Sequence, residues 1–589
     1  MAAQPARTIT VAALAGAAFA VAFKATKSYL AVTEEEEDDA DAMGGHAFYE
    51  VTPSTLATRH AARSMDREDS EKSLQQKLVE AQSLEESATT DYAGGTLGSR
   101  VKLVVAMVGL PARGKSYLVK MLVRYLSWVG FPTKIFNVGE LRRKQGGAGA
   151  TADSFANTPA ATKAREDLAL QCQEEMYDWL RKQQGACVAI FDATNTTRRR
   201  RQLLTERCRA ESRDSGNDVS IVFVESICDD PNVLSRNYEM KLQNADYKGT
   251  DPSKAMADFM ERVEQYEARY EPVDDAEECA YIKLVNVGDK VITRRCGGYL
   301  TSQLGFYLGN VHIQPRRIWL ALHGESQLQV ESRRVGAATG HLTPRGRAFS
   351  RRLAAFVKDA HSTFRNEHEG DAEIVVLTGN ASIHAETVRP LMADTSYEVP
   401  PRVSTSSLLN ELCGGDFDGL TVKEIEDRYP GVFHRRMANK LRFRYPGAGG
   451  ESYLDVINRL RPILIELERQ RKSVLLVTHL AVQRCLYSYF TGTDAEAIPY
   501  LPLPAGAVLE LTPTPHGTQV QTHILLRDDE VVDDEVVDDE VVDDEASVPR
   551  PPLISRVPSH SGAAPKGSGS PSAHQSGDDG CPKILEVSP

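Results

Sequence analysis

Short apolar runs alternate with amphipathic stretches in two blocks of the chain, residues 101–310 and 315–525. Strands that are separated by helical patterns are typical of a parallel α/β sheet. In the first block the predicted strands are Val101–Val108, Thr133–Val138, Cys187–Asp192, Val219–Glu225 and Tyr281–Val287. In the second block they are Arg317–Leu322, Glu373–Thr378, Ser473–Thr478 and Gly506–Leu511. We therefore predict two α/β domains with a joint near Gln314–Arg317.

The two ends of the chain do not share this pattern. Residues 1–98 hold an uncharged apolar stretch, residues 8–23, and then a polar, acidic linker with one predicted helix around Ser73–Glu86. Residues 527–589 repeat the unit DDEVV and continue with mostly Pro, Ser and Gly. This tail cannot bury enough apolar area to offset its ordering entropy, so we predict disorder. The predicted domains are then residues 99–312 and 313–526.

The formal net charge of −13 comes from two acidic stretches, residues 34–41 with seven carboxylates and residues 528–545 with twelve. Without them the chain carries +6, a mildly basic balance that suits a phosphorylated small substrate and is too weak to indicate nucleic acid. The nine cysteines show no CxxC pair, which favours a reducing compartment over a disulfide framework.

A glycine-rich loop follows the first predicted strand. Residues Gly109-Leu110-Pro111-Ala112-Arg113-Gly114-Lys115-Ser116 fit the pattern GxxxxGK[ST] and precede an amphipathic helix, Tyr117–Val129. Backbone N–H groups of such a loop surround the phosphates of a nucleotide. We expect these eight residues to bind ATP, with Lys115 at the β- and γ-phosphates and Ser116 on Mg²⁺.

A second acidic group is needed near the magnesium ion. Cys187–Asp192 is an apolar run that ends in an aspartate, about 80 residues after the loop. Asp192 is therefore predicted to ligate Mg²⁺ and to accept the proton of the acceptor hydroxyl. Arginine is the residue type expected to hold a sugar phosphate, and Arg142, Arg143, Arg165 and Arg262 are candidates.

Several longer motifs make the chain resemble the 6-phosphofructo-2-kinase/fructose-2,6-bisphosphatase family. In the first block they are GLPARGKS (109–116), FNVGELRR (136–143), FDATNTT (191–197), ESICDDP (225–231) and MADFMERVEQYEARY (256–270). In the second block they are IQPR (313–316), RYP (444–446), GESY (450–453) and HLAVQRCL (479–486). The resemblance implies a P-loop kinase domain followed by a histidine-phosphatase domain of the phosphoglycerate mutase-like α/β type.

The resemblance also implies roles for residues of the first domain. Lys115, Ser116 and Asp192 match the ATP and magnesium positions. The positions around fructose 6-phosphate or the transferred phosphoryl group are matched by Arg142, Arg143, Arg165, Thr194, Lys241, Arg262, Tyr266 and Arg295. One departure concerns the adenine side, because Arg236 stands where the family has asparagine and Asn237 comes one place later.

The second domain matches the family less completely. His323, Glu411 and His479 match the nucleophile, the acid and the second histidine, and Arg444 and Arg484 match substrate-side arginines. Two arginines that clamp the phosphoryl group are replaced by Leu322 and Ile383, and Gln329 and Leu480 replace two further polar residues. Loss of one preorganised donor costs about 3–4 kcal/mol, so the implied phosphatase is expected to be severely weakened or dead. Arg333, Arg334 or Lys358 could substitute in space.

Three functions are weighed. The first is a kinase that transfers the γ-phosphoryl group of ATP to O2 of fructose 6-phosphate, makes fructose 2,6-bisphosphate and so controls glycolysis and gluconeogenesis. The second is a bifunctional enzyme that also hydrolyses this product. The third is a nucleotide-binding scaffold without turnover, and the complete set of phosphate-handling residues in the first block argues against it.

The sequence says less about location and assembly. Residues 8–23 span about 24 Å as a helix, short of the ~30 Å hydrocarbon core of a bilayer. They fit a signal segment, a short anchor or a helix without a membrane role. We expect a cytoplasmic enzyme whose only membrane contact would be through this segment. A homodimer is left open.

Overall fold

The computed structural model describes residues 101–146, 158–243, 246–247, 249–331, 335–336, 340–367, 373–514, 517–527 and 529–530. The apolar segment 8–23, the linker helix predicted at Ser73–Glu86 and the tail from residue 531 lie outside this range. Arg333 and Arg334 also lie outside it.

The first domain is built on a six-stranded sheet in the order β2-β3-β1-β4-β5-β6. All neighbours pair in parallel except β6, which runs antiparallel to β5. The strands are β1 (Val101–Val108), β2 (Thr133–Asn137), β3 (Cys187–Asp192), β4 (Asp218–Ile227), β5 (Ala280–Val285) and β6 (Lys290–Arg294). The helices are α1 (Lys115–Trp128), α2 (Val138–Gly146), α3 (Pro159–Lys182), α4 (Arg198–Ser215), α5 (Pro231–Leu242), α6 (Pro252–Glu267) and α7 (Tyr299–Leu308).

The second domain has another six-stranded sheet, in the order β12-β11-β7-β10-β8-β9. Strands β7 to β10 are parallel, and β11 and β12 run antiparallel at one side. The strands are β7 (Ile318–Leu322), β8 (Ile374–Thr378), β9 (Arg402–Thr405), β10 (Ser473–Thr478), β11 (Ala507–Thr514) and β12 (Gly517–Ile524). The helices are α8 (Gln327–Glu331), α9 (Pro344–Glu367), α10 (Ser382–Ala393), α11 (Val422–Arg428), α12 (Pro430–Ala438), α13 (Tyr453–Arg469) and α14 (Leu480–Thr491).

The strand order places the predicted site residues at two sheet edges. In the first sheet β1 and β3 are parallel neighbours, so the loop after Val108 and the carboxylate of Asp192 meet at the carboxyl edge. In the second sheet Leu322 pairs with Thr478, so His323 and His479 follow neighbouring strands side by side. Crevices at the carboxyl ends of parallel strands are the usual ligand sites of α/β sheets.

All nine predicted strands are present, and three further strands, β6, β9 and β12, were not predicted. Their side chains are largely exposed, so they lack the apolar run that marks a buried strand. The described cysteines are all free thiols. None of the helices within the described ranges is both long enough and apolar enough to span a bilayer.

Candidate active sites

The loop at residues 109–114 is held tightly against the edge of the first sheet. Its first amide donates a hydrogen bond to the carbonyl of Thr194 (3.0 Å). Gly109 has φ of +135°, and a Cβ there would lie 2.5 Å from the carbonyl oxygen of Ser226, so only glycine fits. Gly114 caps the helix α1 in the left-handed conformation. The loop therefore presents the N-terminus of α1 to the cavity, as phosphate binding requires.

Lys115 and Asp192 are both buried beside this loop. The Nζ atom of Lys115 donates to the carbonyl oxygen of Gly109 (2.8 Å), and burial lowers the pKa of Lys115 to about 7. Asp192 accepts a hydrogen bond from the side chain of Asn137, its partner on β2, and burial raises its pKa. The charge of each residue opposes the pKa shift of the other. A bound polyphosphate would in the same way raise the pKa of Lys115, and a bound cation would lower the pKa of Asp192, so that both groups are charged.

One cavity of about 1190 Å³ joins the loop to the predicted sugar-phosphate residues. Its lining includes Lys115, Ser116, Asp192 and seven of the eight predicted residues: Arg142, Arg143, Arg165, Thr194, Lys241, Arg262 and Tyr266. Eleven lysine and arginine side chains and five carboxylates line it, so the wall is strongly cationic. Burial lowers the pKa values of Lys241 and Arg165, as expected for cations held away from water.

The structure leaves one predicted residue outside the cavity and adds another to its lining. Arg295 is exposed in the turn after β6 and is not part of the cavity lining, so its position does not support a role with the substrate. Arg200 on α4 was not predicted, yet it lines the cavity, donates to the side chain of Asn195 (3.0 Å), and has a pKa lowered by burial. Arg199 also lines the cavity, and their place in a run of four arginines, residues 198–201, gave no signal of which of them do so.

Asn237, the asparagine that stands one place later than in the family, also contacts the phosphate-binding loop. Asn237 lines the cavity and its side chain donates to the carbonyl oxygen of Ala112 in the loop (2.9 Å). Arg236 points to solvent and bonds its own helix at Asn232. Asn237 therefore lies where a polar side chain can reach a bound nucleotide.

In the second domain, His323 and His479 form part of a cluster of three imidazoles. Their ring centroids lie 4.6 Å apart, and the ring of His384 lies 4.5 Å from His479 and 5.8 Å from His323. Burial lowers the pKa of all three histidines, that of His384 to about 4. The three rings are therefore neutral at physiological pH. Across the described residues, no three histidine, cysteine or carboxylate side chains are arranged to hold a metal ion.

His384 was not predicted as a site residue. It follows Ile383 at the start of α10, and both side chains are fully buried. A Cβ at Gly379 would lie 2.4 Å from Cε1 of His384, so the imidazole fills space that a larger residue at 379 would occupy. Gly379 and His384 stand in the same stretch as Ile383, which replaces the family's arginine. Their contact across five residues is visible only in the structure, so the sequence did not indicate His384.

His323 and Glu411, the predicted nucleophile and acid, both lie within reach of further polar groups. Nδ1 of His323 lies 2.9 Å from the carbonyl oxygen of Gly324, and Nε2 lies 3.4 Å from the amide nitrogen of Gln329. Oε2 of Glu411 is 4.0 Å from Nδ1 of His479. Burial raises the pKa of Glu411 to about 7, which suits a carboxylic acid that must donate a proton.

Among the described residues, the two positions beside the cluster where the family resemblance expects an arginine do not carry one. Leu322 and Ile383 occupy the two arginine positions, and Ile383 is fully buried. Lys358 does not substitute, because its ammonium group is paired with Asp394 (2.9 Å). Arg444 pairs with Asp455 (3.0 Å) at a second cavity, and Arg484 donates to the carbonyl of Leu501 (2.8 Å).

Comparison with known proteins agrees with the division of the chain into two domains. Residues 91–315 match the family model of 6-phosphofructo-2-kinase, and residues 318–525 match the histidine phosphatase superfamily, branch 1. The 6-phosphofructo-2-kinase/fructose-2,6-bisphosphatase of Gallus gallus is 39% identical over 72% of this chain and 84% of its own length. Isozyme 3 of Homo sapiens is 38% identical over 71% and 76%.

A relative named as a probable 6-phosphofructo-2-kinase, from Schizosaccharomyces pombe, is 37% identical over 71% of this chain and 69% of its own length. Relatives named for one activity and relatives named for two are thus equally similar to the chain. Their names do not decide whether the second domain is active. Together, the two domain matches and the extent of the similarity show that the chain belongs to the 6-phosphofructo-2-kinase/fructose-2,6-bisphosphatase family.

Proposed function

We propose that the chain acts as a 6-phosphofructo-2-kinase whose second domain has lost most of its hydrolytic activity. The kinase follows from membership of the family together with its 6-phosphofructo-2-kinase domain. The observation that carries it is the single cationic cavity joining the phosphate-binding loop to the arginine wall. ATP and fructose 6-phosphate are the substrates, and fructose 2,6-bisphosphate and ADP are the products.

The residues of the cavity divide the work of the transfer. The loop and Lys115 hold the β- and γ-phosphates, and Lys115 stabilises the charge on the departing ADP oxygen. Asp192 orients the O2 hydroxyl of the sugar and accepts its proton as the new P–O bond forms. The arginines hold the 6-phosphate. Because the transition state of phosphoryl transfer is loose, this positioning and charge stabilisation supply most of the rate.

Mg²⁺ fits the donors that the cavity offers. The hydroxyl of Ser116 and the carboxylate of Asp192 both line it, and hard oxygen donors of this kind are what Mg²⁺ takes alongside nucleotide phosphates. When bound, the ion neutralises charge on the β- and γ-phosphates. We therefore propose Ser116 and Asp192 as its protein ligands.

We attribute the proposed loss of fructose 2,6-bisphosphate hydrolysis to missing positive charge beside His323. A phosphoryl group that moves to His323 needs fixed cations around its oxygens, and the positions that would supply them carry Leu322 and Ile383. The neutral ring of His384 does not replace a guanidinium. Each missing donor lowers the rate by roughly 10²–10³, and two donors that act as a unit together lower it by less than the product.

A bifunctional enzyme is the second candidate, and one observation favours it. His323, Glu411 and His479 keep the contacts expected of a nucleophile and an acid, and Glu411 has a pKa of about 7. A slow, His323-dependent hydrolysis would come from this remnant.

The test is to incubate the full chain with ATP, Mg²⁺ and fructose 6-phosphate and to identify the product by mass spectrometry and its position of phosphorylation by nuclear magnetic resonance. Phosphorylation at O2 is expected. Phosphorylation at O1, or ATP hydrolysis without sugar phosphate product, would contradict the proposal.

A further inference from the structure

The helix that follows the phosphate-binding loop is held at its far end by the second domain. Helix α1 begins with Lys115 and ends with Trp128, and from Lys115 to Arg124 it rises about 14 Å. Arg124 and Trp128 contact residues of the second domain, whereas Lys115 faces the kinase cavity. One rigid helix thus connects the catalytic lysine with the other domain.

Glu468, near the end of α13, is the centre of this contact. Its side chain is only 2% exposed and accepts hydrogen bonds from Arg124 (2.8 Å), Arg316 (3.2 Å) and the hydroxyl of Tyr489 (2.6 Å). Although burial raises the pKa of Glu468, the guanidiniums of Arg124 and Arg316 lower it below its ordinary value. The carboxylate is therefore ionised, and a buried ion pair of this kind is strongly directional.

Further contacts fix the position of α1 along its axis. The guanidinium of Arg124 lies 4.4 Å above the ring of Tyr489, and the indole nitrogen of Trp128 donates to the carbonyl oxygen of Cys485 (2.8 Å). Tyr489 and Cys485 belong to α14, which begins directly after His479. The hydroxyl of Tyr307 reaches both Tyr489 (2.9 Å) and the carbonyl oxygen of Met121 (3.2 Å).

We infer that Glu468 is a positioning residue for the kinase reaction, acting through Arg124 to place Lys115 and Ser116 against the nucleotide. The inference rests on the proposed kinase function. A helix moves as a unit, so releasing Arg124 shifts the loop end of α1, and a displacement of about 1 Å at a reacting group costs about 10²-fold in rate. The second domain then has a use, as the anchor of α1, that does not depend on its missing arginines.

The test uses Arg124→Gln and Glu468→Gln in the full chain, with Glu466→Gln as a matched control on the same helix. Among the described residues, Glu466 pairs with Arg469 and Gln470, at the end of the same helix. Kinase kinetics are measured well below the midpoint of thermal unfolding. Both variants should lower kcat/KM for ATP at least about tenfold, while KM for fructose 6-phosphate stays within about twofold. The control should behave as the wild type.

Arg124→Gln keeps the test decisive if Glu468→Gln does not fold, because it leaves Glu468 paired with Arg316. The double variant should be no less active than Glu468→Gln alone, since both single changes break the contact between Arg124 and Glu468. Wild-type kinetics for Arg124→Gln, or an equal rise in both KM values together with a lower Tm, would overturn the inference. A wild type without kinase activity would contradict the proposed function itself, so the two failures are distinguishable.

Discussion

The two sheets of the molecule each place catalytic groups at a carboxyl edge, and they differ in the charge around those groups. The cavity at Asp192 is lined by eleven cationic side chains, whereas the imidazoles at His323 are neutral and Leu322 and Ile383 occupy the arginine positions. Both sites keep their proton-transfer residues. Because a transferred phosphoryl group needs cations around its oxygens, the difference predicts efficient transfer at the first site and weak hydrolysis at the second.

The largest expected effect is on the kinase rate, at the cationic cavity of the first domain. Lys115→Ala and Asp192→Ala should each lower kinase kcat by 10²–10³-fold or more, because each removes a charge that acts on the transferred phosphoryl group. Steady-state rates of product formation measure this. Lys134→Ala, an exposed lysine on β2 outside the cavity lining, is the control. A Lys115→Ala enzyme as active as the control would remove the loop from the mechanism.

The converse change should revive the neutral site. Leu322→Arg with Ile383→Arg should raise hydrolysis of fructose 2,6-bisphosphate by roughly 10²–10³-fold, because guanidiniums return to the phosphoryl oxygens. Adding His384→Thr should raise it further, since the imidazole occupies neighbouring space. Release of labelled phosphate is the measurement.

This revival needs two controls. His323→Ala in the restored background should abolish the gain, and unchanged kinase kcat should show that the buried substitutions leave the protein folded. If the restored enzyme stays inactive although it is folded and keeps His323, missing cations are not the reason for the loss.

A smaller effect separates two arginines of the kinase domain. Arg200→Ala should raise KM for fructose 6-phosphate about tenfold, a typical loss for a charge-assisted contact, because Arg200 faces the cavity. Arg295→Ala should leave KM unchanged, because that side chain lies outside the lining. Initial-rate kinetics at saturating ATP test both substitutions. Equal effects on KM would argue against the assignment of Arg200, and not Arg295, to the cavity lining.

The smallest effect is expected from the tail. Removal of residues 532–589 should leave kinase kcat and Tm within experimental error, since the acidic repeat offers no apolar face for docking. Residue 530 must be kept, because Glu530 pairs with Arg352 on α9. A large loss of activity or of Tm on truncation would show that the tail contacts the enzyme.

The sequence predicted the buried strands and the loop because both depend on local patterns. A run of apolar residues, a fixed glycine spacing and an aspartate at a strand end can be read one segment at a time. The exposed edge strands carry no such run, and which of the 198–201 arginines line the cavity depends on the rotation of α4. His384 and Glu468 depend on partners 95 and 344 residues away, namely His479 and Arg124, which no local pattern reveals.

The measurement that tests the central claim most directly compares both reactions in one preparation of the full chain. ATP with fructose 6-phosphate is supplied in one reaction and fructose 2,6-bisphosphate alone in another, and both products are followed under the same conditions. We predict robust synthesis of fructose 2,6-bisphosphate and hydrolysis that is barely detectable. Hydrolysis at a rate comparable to synthesis, and lost on His323→Ala, would contradict the account and establish a bifunctional enzyme.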